Sequence, residues 1–161
     1  MKIHDKNFKL FIKKEQIENT VNIIADKINV LNQIYKEEQV IISMLNGSFM
    51  FTSDLCKRLD CLPEVQFVKL KSYEGTQSTG NIQEVIGLTA SLKNKTVYIV
   101  EDIVDSGLTL DKLIKVVKKQ NPARIFIVTL FYKPNSCKVS FEDPVIIGRR
   151  IGDEFIVGYG L

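Results

Sequence analysis

Residues 96–110 read T-V-Y-I-V-E-D-I-V-D-S-G-L-T-L and gather several kinds of chemistry into one short run. An apolar stretch of strong β character, 96–100, leads into the adjacent acids Glu101 and Asp102. A third carboxylate, Asp105, stands before Ser106, Gly107, Leu108 and Thr109, and a helical pattern follows. Two neighbouring carboxylates accept hydrogen bonds from vicinal hydroxyls or hold a hydrated divalent cation. A Ser-Gly-x-Thr turn at a helix N-terminus offers backbone N–H groups and two hydroxyls to a phosphate. Gly107 tolerates a positive φ and lets the backbone come close to an anion. A phosphorylated sugar satisfies both halves. The plainer alternative is a core strand, solvated acids and an ordinary capped turn, and it needs every one of these features to coincide by chance.

The elements around this run are those that would deliver it to a ligand. Ile17, Val21, Ile24, Ile28 and Leu31 recur at spacings of three and four, predicting an amphipathic helix that ends near Tyr35. Residues 39–45 read as a buried strand, followed by a turn at Asn46-Gly47-Ser48 and a helix carrying Phe49, Phe51, Leu55 and Leu59 that Pro63 stops. Residues 64–70 alternate as a half-exposed strand does, and 82–88 return as another. Between them, 72–81 have two glycines and no hydrophobic period, the pattern of a mobile loop. Leu110, Leu113, Val116 and Val117 form the apolar face of a helix ending at Asn121-Pro122, and 124–131 are a continuous apolar strand. Strand and helix alternate, which predicts an α/β fold with a mainly parallel sheet between helices, its ligand site at the carboxyl ends of the strands.

Composition narrows the field. A chain of 161 residues buries its own core as one domain. The net charge of +3 suits a small anionic substrate and is too weak and too evenly spread for nucleic acid. Cys56, Cys61 and Cys137 show no paired spacing and His4 is the lone histidine, so disulfides and a zinc site are not expected. The first residues carry charges where a signal peptide needs an apolar run, and no apolar stretch reaches membrane-spanning length, so a cytoplasmic location is expected.

Other stretches join the acid run in a fixed order: L-N-G-S-F-M-F at 45–51, K-S-Y-E-G-T-Q-S-T-G at 71–80, Lys133-Pro134 after a strand, and D-E-F-I-V-G-Y-G at 153–160. From about Val40 onward the chain resembles the type I phosphoribosyltransferases, and its E-D-I-V-D-S-G wording is closest to the hypoxanthine(-guanine) phosphoribosyltransferases. The resemblance implies the fold of that family: a core at about 16–133 and a small hood from about 1–15 and 134–161, all in one domain. It implies transfer of the 5-phosphoribosyl group of 5-phosphoribosyl-1-pyrophosphate (PRPP) to a purine, with Mg²⁺, giving a nucleoside monophosphate and pyrophosphate. Homodimers or homotetramers are implied; that membrane and nucleic-acid partners are not expected rests on the charge and hydropathy above. The rival from another class is a regulatory protein of the same fold that senses PRPP or nucleotide.

By the same resemblance, Glu101 and Asp102 receive the ribose hydroxyls, directly or through water on Mg²⁺, and residues 105–109 hold the 5′-phosphate. Asp105 is implied as general acid or base near N7 of the purine; its alternative is a helix N-cap. Asn46 and Gly47 are implied to offer backbone N–H groups to pyrophosphate through a sharply bent, even cis, peptide; the alternative is a simple helix-start glycine. Ser72 and Tyr73 would belong to a lid over PRPP, or else to a solvated hairpin tip. Lys133 would reach the 6-oxo group, Phe155 would stack on the purine and Ile156 would present main-chain contacts to its edge. An exposed lysine and a core phenylalanine are the alternatives.

The chain also departs from the family pattern. Asn46 stands where Lys or Arg is usual, and Cys137 where many relatives carry an arginine that helps hold pyrophosphate, with Lys138 beside it as a substitute. Arg149, Arg150 and Gly152 differ from the usual wording before D-E-F. In the family an aspartate that binds a second Mg²⁺ and a tail with a further arginine follow the position of Leu161; the natural chain is expected to continue in the same way.

Overall fold

A computed structural model describes residues 2–3, 6–71 and 83–161. Two short strands, β1 (Lys2–Ile3) and β2 (Lys6–Asn7), pair with each other, and α1 (Lys14–Ile34) follows. Then come β3 (Gln39–Met44), α2 (Phe49–Cys56), β4 (Glu64–Lys71), β5 (Gln83–Ile86), β6 (Thr96–Val104), α3 (Leu108–Lys118), β7 (Arg124–Tyr132) and β8 (Val145–Arg150). The main sheet has the order β5-β4-β3-β6-β7-β8, parallel throughout except for β5 against β4.

Central strands of a sheet covered on both faces must be apolar on both sides. In β3, Val40 to Met44 are all buried, and in β6 so are Thr96 to Val100. One face is covered by α1 and α2, through Val21, Ile24, Ile28, Phe51 and Leu55 packed on Ile41, Tyr98 and Val128. The other is covered by α3, through Leu110, Leu113, Ile114 and Val117 on Val40, Ile42, Val97 and Ile127. The α1 start is tied by the Lys13 N–H donating to Gln16 Oε1 at 2.9 Å, and its end by the Tyr35 N–H to the Leu31 carbonyl at 2.8 Å.

Three expectations change. The second helix ends at Cys56, well before Pro63, although Leu59 still packs on the core. On α3 it is Ile114, not Val116, that completes the buried stripe, because Leu110, Leu113, Ile114 and Val117 follow the i, i+3, i+4, i+7 spacing of one face. Within the stretch expected to form the hood, β8 pairs parallel to β7 and becomes the sheet's edge strand, its Ile146 buried. A run as short as V-I-I carries too little periodicity to separate a sheet strand from a hood strand.

The strand order also locates a crevice. From β3 the chain crosses by α2 to β4 on one side, and from β6 it crosses by α3 to β7 on the other. The carboxyl ends of β3 and β6 are therefore where the winding reverses, the place at which open α/β sheets bind ligands. The β3–β6 ladder stops at Ser43 and Val100, and β6 continues alone on that side as far as Val104.

Candidate active site

At this crevice lies a cavity of about 260 Å³. Gly47, Glu101, Asp102, Asp105, Ser106, Gly107 and Thr109 line it together with Met44, Leu45 and Leu70. Two loops thus meet there, one following β3 and one following β6. Asn46 and Leu108 are absent from its wall; Leu108 starts α3 and is half-exposed.

The first loop bends at a cis peptide between Leu45 and Asn46. Gly47 then passes directly over Asp102, so close that a Cβ at position 47 would overlap the Asp102 carboxylate. Glycine is required there by approach. The loop is held from behind by three buried hydroxyls: Ser43 Oγ lies 2.8 Å from both Ser48 Oγ and Thr52 Oγ1. On its exposed side, Lys69 Nζ donates to Asn46 Oδ1 at 3.2 Å. The cation missing at position 46 is therefore present one strand away, a pairing the sequence could reveal only through the parallel register that sets Met44 opposite Val68.

The acid pair sits inside the last turn of strand rather than beyond it. Asp102 is buried and its Oδ1 accepts the Ile103 N–H at 2.9 Å. Burial pushes its carboxyl above the ordinary range, against hydrogen bonds from Glu101 and the backbone that pull it down. Glu101 is pushed up well above its usual value by burial first, then by the Asp102 charge and their shared hydrogen bond. Its Oε2 is buried without a hydrogen-bond partner among the described residues. Buried polar atoms are normally satisfied, so an orphaned carboxylate oxygen beside a second acid marks a place for hydroxyls or a divalent cation. No group of three or more His, Cys, Asp or Glu gathers among the described residues. A cation held by one or two carboxylates, completed by water and substrate oxygens, is the mode this pair fits.

The second loop opens α3. Its N-cap is Gly107, at φ +76°, and no side chain caps the helix, so Asp105 does not serve as the cap. The left-handed backbone at Gly107 is what turns the strand into the helix, a conformation other residues adopt at a cost. Behind it the Lys138 N–H donates to the Ser106 carbonyl at 3.0 Å, and Cys137 Sγ lies 3.2 Å from where a Gly107 Cβ would stand. Cys137 and Lys138 thus brace this loop. The Asp105 carboxylate is largely exposed and faces Lys133, whose Nζ lies 3.4 Å from Asp105 Oδ2. Lys133 is buried, which is unusual for a lysine and removes the reading as an idle surface charge. An ammonium has three donors, and Asp105 takes one of them at a long distance.

Phe155 and Ile156 are not brought to the polar cavity. They line a larger apolar groove of about 1160 Å³ with the segment 7–12, α1, Met50, Asp54 and Phe131. Phe155 is 72% exposed, its ring centroid 6.3 Å from that of Phe8. Ser72 and Tyr73, expected to belong to a lid, lie outside the described residues.

Comparison with known proteins agrees with this architecture. The phosphoribosyl transferase domain family matches residues 13–161. The hypoxanthine phosphoribosyltransferase of Buchnera aphidicola subsp. Schizaphis graminum is 36% identical over 154 residues, 95% of this chain and 86% of its own. The hypoxanthine-guanine phosphoribosyltransferase of Staphylococcus epidermidis is 38% identical over 146 residues, 89% of this chain and 81% of its own. Among solved structures, the hypoxanthine phosphoribosyltransferase of Trypanosoma cruzi in complex with the product IMP aligns with a TM-score of 0.86 at 31% identity, over 100% of this chain and 89% of that one. A crystal structure of the Staphylococcus aureus hypoxanthine phosphoribosyltransferase aligns with a TM-score of 0.85 at 36% identity, over 95% and 82%. With its switch-point crevice, its acid pair and relatives of this likeness, the chain belongs to the hypoxanthine(-guanine) phosphoribosyltransferase family.

Proposed function

We propose that this chain transfers the 5-phosphoribosyl group of PRPP to N9 of a 6-oxopurine, hypoxanthine or guanine, giving IMP or GMP and pyrophosphate in purine salvage. The observation that carries it is the meeting of Gly47, the Glu101–Asp102 pair and the 105–109 loop in one cavity. Purine N9 forms a bond to C1 of the ribose as the bond from C1 to pyrophosphate oxygen breaks, and the electron pair leaves with pyrophosphate. The transition state has oxocarbenium character, so binding must favour positive charge on the ribose and negative charge on the leaving group. Glu101 and Asp102 would hold Mg²⁺ through its water, and the ion when bound would supply charge neutralisation for the pyrophosphate.

The chain's own residues do the remainder. The backbone at Asn46 and Gly47 presents N–H groups to pyrophosphate, and Ser106, Gly107, Leu108 and Thr109 hold the 5′-phosphate at the start of α3. Glu101 and Asp102 accept from the ribose hydroxyls. Asp105 takes the proton that the purine gives up, with the Lys133 ammonium 3.4 Å from its carboxylate. The Lys133 ammonium donates to the 6-oxo group, which an exocyclic amino group in adenine would refuse. Phe155 stacks on the base and Ile156 offers its main chain to the base edge. The protein is proposed to act in the cytoplasm as a homodimer or homotetramer; among the described residues no helix is long and apolar enough to cross a membrane.

The test is pyrophosphate release with PRPP, Mg²⁺ and each of hypoxanthine, guanine, xanthine and adenine, run beside Asp105→Asn. Turnover with oxopurines and not adenine is expected, falling by about 10²–10⁴-fold in the variant while the melting temperature holds. Full turnover in Asp105→Asn would remove that residue from the chemistry. PRPP or nucleotide binding without any turnover would point to the sensor instead.

A further inference from the structure

The segment carrying Phe155 and Ile156 has neither helix nor strand after Ile151, so something other than a ladder must place it. Ser136 Oγ donates to Asp153 Oδ1 at 2.7 Å at its exposed start, and a second side-chain tie, part-buried, lies at the far end. Tyr159 Oη donates to Asp54 Oδ2 on α2 at 2.6 Å, and the other carboxylate oxygen of Asp54 is taken by Lys57 at 3.1 Å. That hydrogen bond is the largest cause holding the Asp54 carboxyl below its ordinary range. One residue on, Gly160 lies against the loop that follows β3: a Cβ there would stand 2.6 Å from the Gly47 carbonyl. Gly47 in turn lies on Asp102. The purine segment, the pyrophosphate loop and the ribose acids are therefore stacked backbone to backbone to carboxylate, with Tyr159–Asp54 as the pin at the outer end.

We propose that Tyr159 and Asp54 are a positioning pair for the transferase reaction, fixing the segment 153–161 on α2 so that Phe155 and Ile156 meet the purine in register with the pyrophosphate loop. The inference rests on the proposed function. Neither residue touches the reacting atoms; both act through the segment they hold. The 5′-phosphate and ribose subsites stand on β6 and α3, elements the pin does not hold. The pyrophosphate loop that Gly160 touches is itself braced from behind by Ser43, Ser48 and Thr52, so loosening the pin should be felt at the base far more than at PRPP.

The experiment measures saturation curves for hypoxanthine and for PRPP, IMP binding by calorimetry and melting temperature, in wild type, Tyr159→Phe, Asp54→Ala and the double variant. A charge-assisted hydrogen bond lost from a positioning contact should raise KM for hypoxanthine and weaken IMP binding by about tenfold or more in either single variant. KM for PRPP should stay within about twofold, and the double variant should be no worse than Asp54→Ala, as expected of two residues acting as one contact. Unchanged KM for hypoxanthine and unchanged IMP binding would overturn the proposal. So would equal losses for both substrates accompanied by a fall in melting temperature, the mark of a purely structural contact. A wild-type chain without turnover would strike the proposed function, and the IMP arm would still decide the pin.

Discussion

The polar cavity and the apolar groove beside it are built in opposite ways. The cavity, about 260 Å³, is walled by strand ends and the loops that leave them, and its Glu101–Asp102 pair is sequestered. The groove, about 1160 Å³, is walled largely by the two ends of the chain, and its aromatic Phe155 stands 72% exposed. Developing charge needs groups already aimed and dry, whereas a flat purine face is satisfied by an aromatic plane. Under the proposed function, rigid scaffold serves the charged half of the ligand, and the flat half falls to a strap pinned at its end.

Breaking the cavity should have the largest effect. Gly47→Ala puts a methyl group into the Asp102 carboxylate, so either the loop or the acid must move. Overpacking of this kind costs about 1–3 kcal/mol of stability. Displacing an aligned group by roughly an ångström lowers kcat/KM by about a hundredfold. Denaturant melts and PRPP saturation kinetics check both; wild-type values would mean that Gly47 and Asp102 do not need their apposition.

Disturbing the groove should be milder and of another kind. Phe155→Ala is expected to raise KM for hypoxanthine by roughly tenfold, the loss of one stacked base face. Being largely exposed, Phe155 should take no more than about 0.5 kcal/mol of stability with it. A large stability loss with normal KM would return it to the role of a packing residue.

The smallest effect sharpens the comparison from the other side. Glu101 is held protonated above its ordinary value of 4.5 by burial and by Asp102. An unfolded chain releases that proton near 4.5 and the folded chain only at higher pH, so this residue destabilises the fold increasingly as pH rises above 4.5. Without Mg²⁺ and PRPP, Glu101→Gln should match wild-type stability below pH 4.5 and exceed it progressively toward neutrality, while losing activity. A stability difference independent of pH would show that Glu101 does not titrate in this range. Stability surrendered in the cavity and not in the groove is the signature of a preorganised site.

Legibility in the sequence followed the same division. The acid pair, Asp105 and the Ser106–Thr109 turn were readable because they are contiguous, and one strand followed by one helix start fixes them in space. The alternation of strands and helices likewise foretold the sheet and its two covered faces. Contacts between distant segments were not readable. Gly47 on Asp102, Lys69 beside Asn46 and Tyr159 on Asp54 depend on strand order and register, which no local pattern encodes. The end of α2 was misjudged because Leu59 is apolar in phase and does pack, yet it does so from a turn. Phe155 was readable as an aromatic of interest only through resemblance, since F-I-V alone describes any buried strand.

The order of the sheet has a consequence for how the chain comes to be made. Val40, Ile41, Ile42 and Ser43 lie in a strand whose two neighbours, β4 and β6, arrive later in synthesis, and β6 last. Until residues 96–100 emerge from the ribosome, one edge of a largely apolar strand stands open to any other strand nearby. The segment that completes the site is thus also the one that covers the open edge of β3, handing the exposed edge on to β6 until β7 is made, and a chain released before it would present a sticky half rather than a smaller enzyme.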